Sequence, residues 1–487
     1  MKVQSLIQSH SSAAPQPGVP EGESLQDFTP RILQTYMVGV FVAINALRDA
    51  YCLVEGPDCI HMKTQFVQGN HDWFSTLTSV SGYHRVANTA LHPVHMTASR
   101  ENQIEEMLIR LARHETTSCV MLTSMPMAFI TGADYERICR DVAELTSKEV
   151  IHIPGKSLSG DWLDGYAETL LALAKQMKFS TTPKQAKDPK KVAIVGYCYD
   201  RNEGDHRANV EHLRAMLTAM GTEVVSIWLE GQDFKDLDKI SEAGTILSFP
   251  YARRAARIVA KRTGAKLMEC ELPFGLDATE RWLLQVGAAL GLEAQAQEVI
   301  DAELARVVPA LEWIIPFVFQ NRRFGYVGDP HLVRGFKEIA ETLGARLSFA
   351  AITDTATHLG TLVADFAGQV PLRVDPTTEA LRKFVQEHVR DDKISLMVSN
   401  NSGCGLAESA ALVEFGFPSM YAHALYDRPF LGFKGFLAFV DTLANTSRQF
   451  ELAQSIVAMS AGPKGGSDAP GAVPMEKCLS GACGDCA

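Results

Sequence analysis

From Thr29 onward, short apolar runs alternate along the chain with stretches whose apolar residues recur at helical spacing. "AYCLVEG", "CVMLTSMP" and "EVIHIPG" read as strands. "PRILQTYMVGVFVAINAL", "NQIEEMLIRLARH", "DYERICRDVAELT" and "DWLDGYAETLLALAKQM" read as helices. A lysine- and proline-rich stretch, "STTPKQAKDPKK", then interrupts the pattern. It resumes with the buried strand "KVAIVGYCYD", the glycine-stopped helix "DHRANVEHLRAMLTAMG", further strands "EVVSIWL", "TILSFP" and "AKLMEC", and the helix "ARRAARIVAKRTG". After the helix-rich "EAQAQEVIDAELARVVPALEWI" the rhythm restarts at "RRFGYVGDPHLVRGFKEIAETLG" and runs through "ARLSFAAIT" and "ISLMVSN".

A strand–helix alternation that starts three times implies an α/β protein of three Rossmann-like doubly wound domains with parallel sheets. The length of 487 residues agrees, because one core stops growing near 250–300 residues. The expected division is a disordered tail over 1–28, a first domain over 29–180, a linker over 181–191, a second domain over 192–320, a third over 321–458, and a flexible tail over 459–487. Ligands of such sheets collect at the carboxyl ends of the strands. The loops after "CLVEG", "MLTSMP", "ILSFP", "GYVGDP" and "MVSNNSG" are therefore the places to look.

The formal net charge of -11 argues against nucleic-acid or anionic-membrane partners. The N-terminus shows no apolar signal region, and "VVPALEWIIPFVF" is too short to cross a bilayer, so a cytoplasmic location is expected. Ten cysteines in such a chain do not read as a disulfide framework. Cys52, Cys119, Cys139, Cys198 and Cys270 fall in apolar patterns and read as small buried residues. No phosphate-loop, dinucleotide, zinc-protease or nucleophile-elbow signature is present, so this chain is not expected to hydrolyse nucleotides itself.

Several of the loops resemble one family. "LVEGPDCIHMK" resembles the HGPxGC strand-loop of nitrogenase component 1 subunits, and "TSMPMAFITGADYERI" their (T/S)xCPxxxIGDD segment. "GYVGDPHLVRGFKEIAETLGA" resembles the opening of their third domain. "DRPFLGFKGFLAFVDTLAN" resembles their closing PxxGYxGxxxLxxxIxN segment. The matches run in family order from about residue 29 to 450, and they identify the chain as a divergent, β-like member of the nitrogenase component 1-like superfamily.

The resemblance implies a subunit of an iron–sulfur oxidoreductase. It would pair with a homologous subunit in a hetero-oligomer, a homodimer being less expected. It would take electrons from an ATP-dependent Fe–S reductase resembling the nitrogenase iron protein, and reduce a small or tetrapyrrole-type substrate. The alternative is a scaffold or carrier for metallocluster assembly. Of the three cysteines that hold the family's relay cluster, only Cys59 is matched; the first falls near "LQTYM" and the third on Met125. The implied arrangement is a [4Fe–4S] cluster shared with a partner that supplies three ligands, as in relatives such as the light-independent protochlorophyllide reductase. The two protein ligands of the family's molybdenum cofactor are replaced, with Pro250 and Tyr251 in one region and Leu431 in the other.

Three further groups are candidates. Cys404, in "VSNNSGCGLAE", is expected at a strand end entering a helix, where backbone amides would lower its thiol pKa and suit it to a cluster or redox role. His71, Asp72 and His84, in "QGNHDWFSTLTSVSGYHR", are candidate proton donors beside the cluster loop. Cys478, Cys483 and Cys486 end the chain in C-x4-C-x2-C spacing, which resembles the cysteine loop of plant-type [2Fe–2S] ferredoxins without its fourth cysteine. A second cluster or another metal at that tail is the expectation.

Overall fold

The computed structural model describes residues 32–78, 84–156, 160–180 and 187–460. The first block contains helix α1 (Tyr36–Asn45), strand β1 (Ala50–Glu55), α2 (Ile60–Val67), β2 (Val86–Asn88), α3 (Glu101–Ala112), β3 (Cys119–Ser124), α4 (Tyr135–Thr146), β4 (Glu149–His152) and α5 (Trp162–Gln176). Its four strands are parallel in the order β2-β1-β3-β4. Every residue of α1 is buried, as its unbroken apolar sequence requires. The helix crosses α5 at glycine: a Cβ on Gly39 would lie 1.8 Å from the Trp162 carbonyl oxygen, and one on Gly165 1.9 Å from that of Tyr36. A reciprocal capping box, Asp161 with Asp164, starts α5.

The second block runs through β5 (Lys191–Val195), α6 (Gly204–Ala219), β6 (Glu223–Ile227), β7 (Thr245–Ser248), α7 (Arg253–Thr263), β8 (Lys266–Glu269), α8 (Leu276–Leu290) and α9 (Glu293–Leu311). Its parallel order is β6-β5-β7-β8. The third holds β9 (Arg323–Gly328), α10 (Val333–Thr342), β10 (Arg346–Ile352), α11 (Leu362–Phe366), β11 (Leu372–Val374), α12 (Thr378–Asp391), β12 (Leu396–Ser399), β13 (Ala411–Glu414) and α13 (Gly432–Ser460). Its parallel order is β11-β10-β9-β12-β13.

In each sheet the strand order reverses beside the first strand, β1, β5 or β9, which makes the loops after these strands the natural ligand positions. One contiguous apolar cluster includes Val54, Ile194 and Tyr326, so the three sheets share a core. Cys52, Cys119, Cys139, Cys198 and Cys270 are buried, as their apolar surroundings predict. No helix among the described residues is long and apolar enough to cross a membrane.

One local expectation fails. No helix follows the strand carrying "MVSNNSG"; a short 3-10 turn, Asn401–Gly403, leads into the edge strand β13. "AALV" is a short apolar run that suits a strand, and β13 is buried at every other residue.

Candidate active site

Two of the three switch-point loops face each other. After β5 the chain turns at Gly196 (φ +89), where a Cβ would lie 2.6 Å from the Phe249 carbonyl oxygen. This close approach sets Tyr197, Cys198 and Asp200 beside the turn that follows β7. After β9, Asp329 is almost fully buried; its Oδ2 accepts the Tyr251 hydroxyl proton at 2.6 Å, and its Oδ1 accepts the His331 backbone N–H at 2.5 Å.

Asp200 sits between two imidazoles. Its Oδ1 is 2.8 Å from His206 Nε2 and 3.4 Å from His71 Nε2. His71 Nδ1 lies 3.0 Å from the Ser419 amide nitrogen and 3.2 Å from its carbonyl oxygen, and its Nε2 faces Asp200. His206 Nδ1 is 2.8 Å from the Tyr197 hydroxyl, which also accepts from Asn209 at 3.0 Å. Against their burial, the Asp200 carboxylate raises the pKa of His206 while His206 and His71 hold Asp200 well below the usual carboxylate range. The Asp200 carboxylate thus favours the protonated form of the imidazole it faces, in a place where uncompensated charge is costly.

These groups line a small inner cavity of about 30 Å³, together with Cys198, Asp329, Tyr251 and Leu431. A cleft of about 480 Å³ lies on the other side of Tyr251 and Leu272, which border both spaces. Its size suits a small-molecule ligand. The cleft is rimmed by ion pairs, Arg253 with Glu271 at 2.6 Å and Arg281 with Glu338 at 2.7 Å, over a floor that includes Phe274 and Leu163. His331 projects here edge-on to Tyr251; burial and the nearby His358, Arg253 and Arg334 push its pKa down to about 3, so it stays neutral. His358 Nε2 is 2.9 Å from Asp161 Oδ1 at the cleft mouth. Against burial, His358 and the amides of Thr355 and Asp164 hold Asp161 at about 2.

The residues singled out from sequence separate. His71 joins the buried group. Asp72 does not line either space; its carboxylate accepts from Asn45, Asn202 and the Phe74 amide, and so ties α1 to the loop after β5. His84 is exposed, its ring 6.0 Å from that of His61. Its neighbour Arg85 is buried and donates to the carbonyls of Leu47 and Ala50 at 2.7 and 2.6 Å. Cys59 is exposed at the N-cap of α2, just past the end of β1.

Cys404 departs from expectation. Without a helix at that loop, burial and the Glu414 carboxylate push its thiol up to about 12, the opposite of the expected lowering. Cys478, Cys483 and Cys486 lie outside the described residues. Sequence reasoning missed Asp200, His206, Asp329 and His358. "GYVGDP" was legible as a strand-end loop, but nothing local marks Asp329 as the partner of Tyr251, 78 residues away.

Two cofactor positions can be tested against these residues. The inner cavity, about 30 Å³ in volume, has room for water-sized occupants in this structure. At the end of β1 one side chain could hold part of a cluster. Cys59 offers one accessible thiol, while Cys52 is fully buried with its pKa raised by desolvation. One thiolate is a quarter of the usual ligand set of a cubane cluster.

A family model described as nitrogenase component 1 type oxidoreductase matches residues 35–448. The chain is 22% identical over 328 residues to the nitrogenase molybdenum-iron protein alpha chain of Methanothermobacter marburgensis, a match covering 63% of each chain. It is 22% identical over 325 residues to the nitrogenase molybdenum-iron protein beta chain of Clostridium pasteurianum, covering 61% of this chain and 67% of that one. The match thus spans just under two thirds of the alpha chain's length. Among solved structures, "Nitrogenase Cp1 at pH 6.5" superposes with a TM-score of 0.72 at 16% identity, covering 88% of this chain and 95% of that chain.

Proposed function

The chain belongs to the nitrogenase component 1-type oxidoreductase family, and from that premise we propose that it is one subunit of a nitrogenase-like iron–sulfur reductase. It pairs with a homologous subunit, receives electrons from an ATP-dependent Fe–S reductase, and reduces a small or tetrapyrrole-type substrate held at the 480 Å³ cleft.

The observation that carries this reading is the setting of Cys59. The loops after β1, β2 and β3 lie side by side, joined by the Leu91 N–H to Gly56 and Met125 N–H to Glu55 hydrogen bonds. They expose Met62, Val94 and Ile130 together with Cys59. An exposed thiol among exposed apolar side chains suits a subunit boundary. A [4Fe–4S] cluster bound there would relay single electrons, with Cys59 as one ligand and the partner supplying three.

In this reading His71 belongs to the proton-handling group, Asp72 and Arg85 hold its loop in place, and Cys404 stands apart from the relay.

The test is anaerobic co-purification with a homologous partner subunit, with iron counted and the EPR spectrum recorded. Cys59→Ala is expected to lower the iron content and remove the cluster's signal while leaving the fold intact. Unchanged iron and signal in that variant would overturn the relay assignment. Quantitative transfer of the cluster to an apo-protein, without substrate turnover, would favour the scaffold.

A further inference from the structure

Asp200 and Asp329 follow strands of different sheets yet line one inner cavity, and each is buried. Burying two carboxylates is expensive unless each is compensated. They are compensated in opposite senses: Asp200 has imidazoles on two sides, whereas Asp329 has a phenol and one amide. His71 Nε2 and Asp200 Oδ1 lie close at angles that complete no well-formed hydrogen bond among the described residues. Buried polar atoms of this kind are ordinarily satisfied by water, and the cavity that both residues line is large enough for water.

The same cavity is separated from the open cleft by Tyr251, whose hydroxyl is already bonded to Asp329. The imidazole–carboxylate group therefore shares one cavity with Asp329, which is bonded to Tyr251 at the cleft wall. We propose that Asp329 is a proton carrier that links the buried His71–Asp200–His206 group to a ligand in the cleft by way of Tyr251. The inference rests on the reductive reading above, because a reduction consumes protons where the substrate sits. With Asp329 protonated, its Oδ2–H donates to Tyr251 and frees the phenol proton for transfer. The proton that leaves on the cleft side is replaced at Asp329 by one held on the Asp200–His206 pair. One proton enters, one leaves, and no electron moves.

The groups that face Asp329 are Tyr251, Tyr326, Cys198, Asp200, Asp354 and His358. Burial and the Asp200 charge push the Asp329 carboxyl up, against Tyr251, the His331 amide and His358, to about 6. This places it where a proton can be both taken and given near neutral pH.

The test needs neither partner nor substrate. Infrared spectra of the full chain, with aspartate carboxyls isotope-labelled, are recorded across pH in H2O and D2O. A protonated-carboxyl band is expected that titrates near neutral pH, shifts in D2O and disappears in Asp329→Asn. Tyr251→Phe removes a stabilising bond to the carboxylate and is expected to raise its midpoint. Asp200→Asn removes a like charge and is expected to lower it, each by about one pH unit or more. A band absent from the wild type, or one retained in Asp329→Asn, would overturn the proposal. So would a midpoint indifferent to Tyr251→Phe, a change small enough to be folded even if Asp200→Asn is not. In a reconstituted complex, Tyr251→Phe lowers kcat without raising KM. Failure of that complex to reduce any substrate bears on the reductive reading and leaves the infrared titration intact.

Discussion

Trp162 Nε1 donates a hydrogen bond to Asp354 Oδ1 at 2.7 Å, joining the first turn of α5 to the end of β10 across 192 residues of chain. Both side chains are buried, and the indole also packs against Phe417 with ring centroids 4.2 Å apart. Trp162→Phe keeps most of the ring but leaves a buried carboxyl oxygen without its donor. The expected loss is about 1–3 kcal/mol, read as a lower thermal midpoint. Adding Asp354→Leu to that variant is expected to recover part of the loss, because no orphaned acceptor then remains.

The Asp161–His358 pair makes stability depend on pH from both sides. Asp161 is depressed from 3.8 to about 2, so its contribution is present above its unfolded value and is lost as pH falls through the folded one. His358 is raised above 6.5, so its contribution is present below that value and is lost as pH rises through the folded pKa. The pair is expected to stabilise most between about pH 4 and 6.5. The Asp161 part is on the order of 2 kcal/mol. Thermal midpoints of wild type and His358→Gln, measured across pH, should converge on the alkaline side. A constant difference across pH would contradict this assignment.

The architecture was largely legible because its central strands are continuous apolar runs, such as "KVAIV" in β5 and "CVMLTS" in β3, buried on both faces. The short strands β2 and β11, three residues each and only partly buried, carry no such signal. The site was less legible. "GPDC" announces a turn, and the structure exposes Cys59 there. Asp200, by contrast, gains its meaning from His71, 129 residues earlier by subtraction of their numbers, and a one-dimensional reading has no access to such a contact.

The crossing of α1 and α5 tolerates no side chain at either glycine. A methyl group at Gly165 would meet the Tyr36 carbonyl oxygen at 1.9 Å and the Val40 amide nitrogen at 3.0 Å, both backbone atoms that cannot swing aside. Gly165→Ala or Gly39→Ala is expected to cost about 1–3 kcal/mol or more. Gly132→Ala provides a contrast: nothing lies near its Cβ position, and only its left-handed φ of +65 opposes the change. Its effect on the thermal midpoint should be smaller.

Thiol reactivity should rank the cysteines by setting. At neutral pH under reducing conditions, iodoacetamide is expected to modify Cys59 well before Cys404, whose thiol is half-buried and held at about 12. Cys52, Cys119, Cys139, Cys198 and Cys270 should react only on unfolding. Peptide mapping by mass spectrometry over time reads this order. Modification of Cys404 at the same rate as Cys59 would show that its loop opens in solution.

The Ser419 amide that fixes His71 lies 348 residues further along the chain. The first sheet can be hydrogen-bonded while the chain is still emerging from the ribosome, but the imidazole cannot be locked until nearly all of it has been made. Contacts of such separation form slowly, and their late closure leaves apolar surface uncovered in the interval. Fixing of His71 is thus a late step of biosynthesis, and a nascent chain stalled before Ser419 holds Asp200 and His206 without their third partner locked in place.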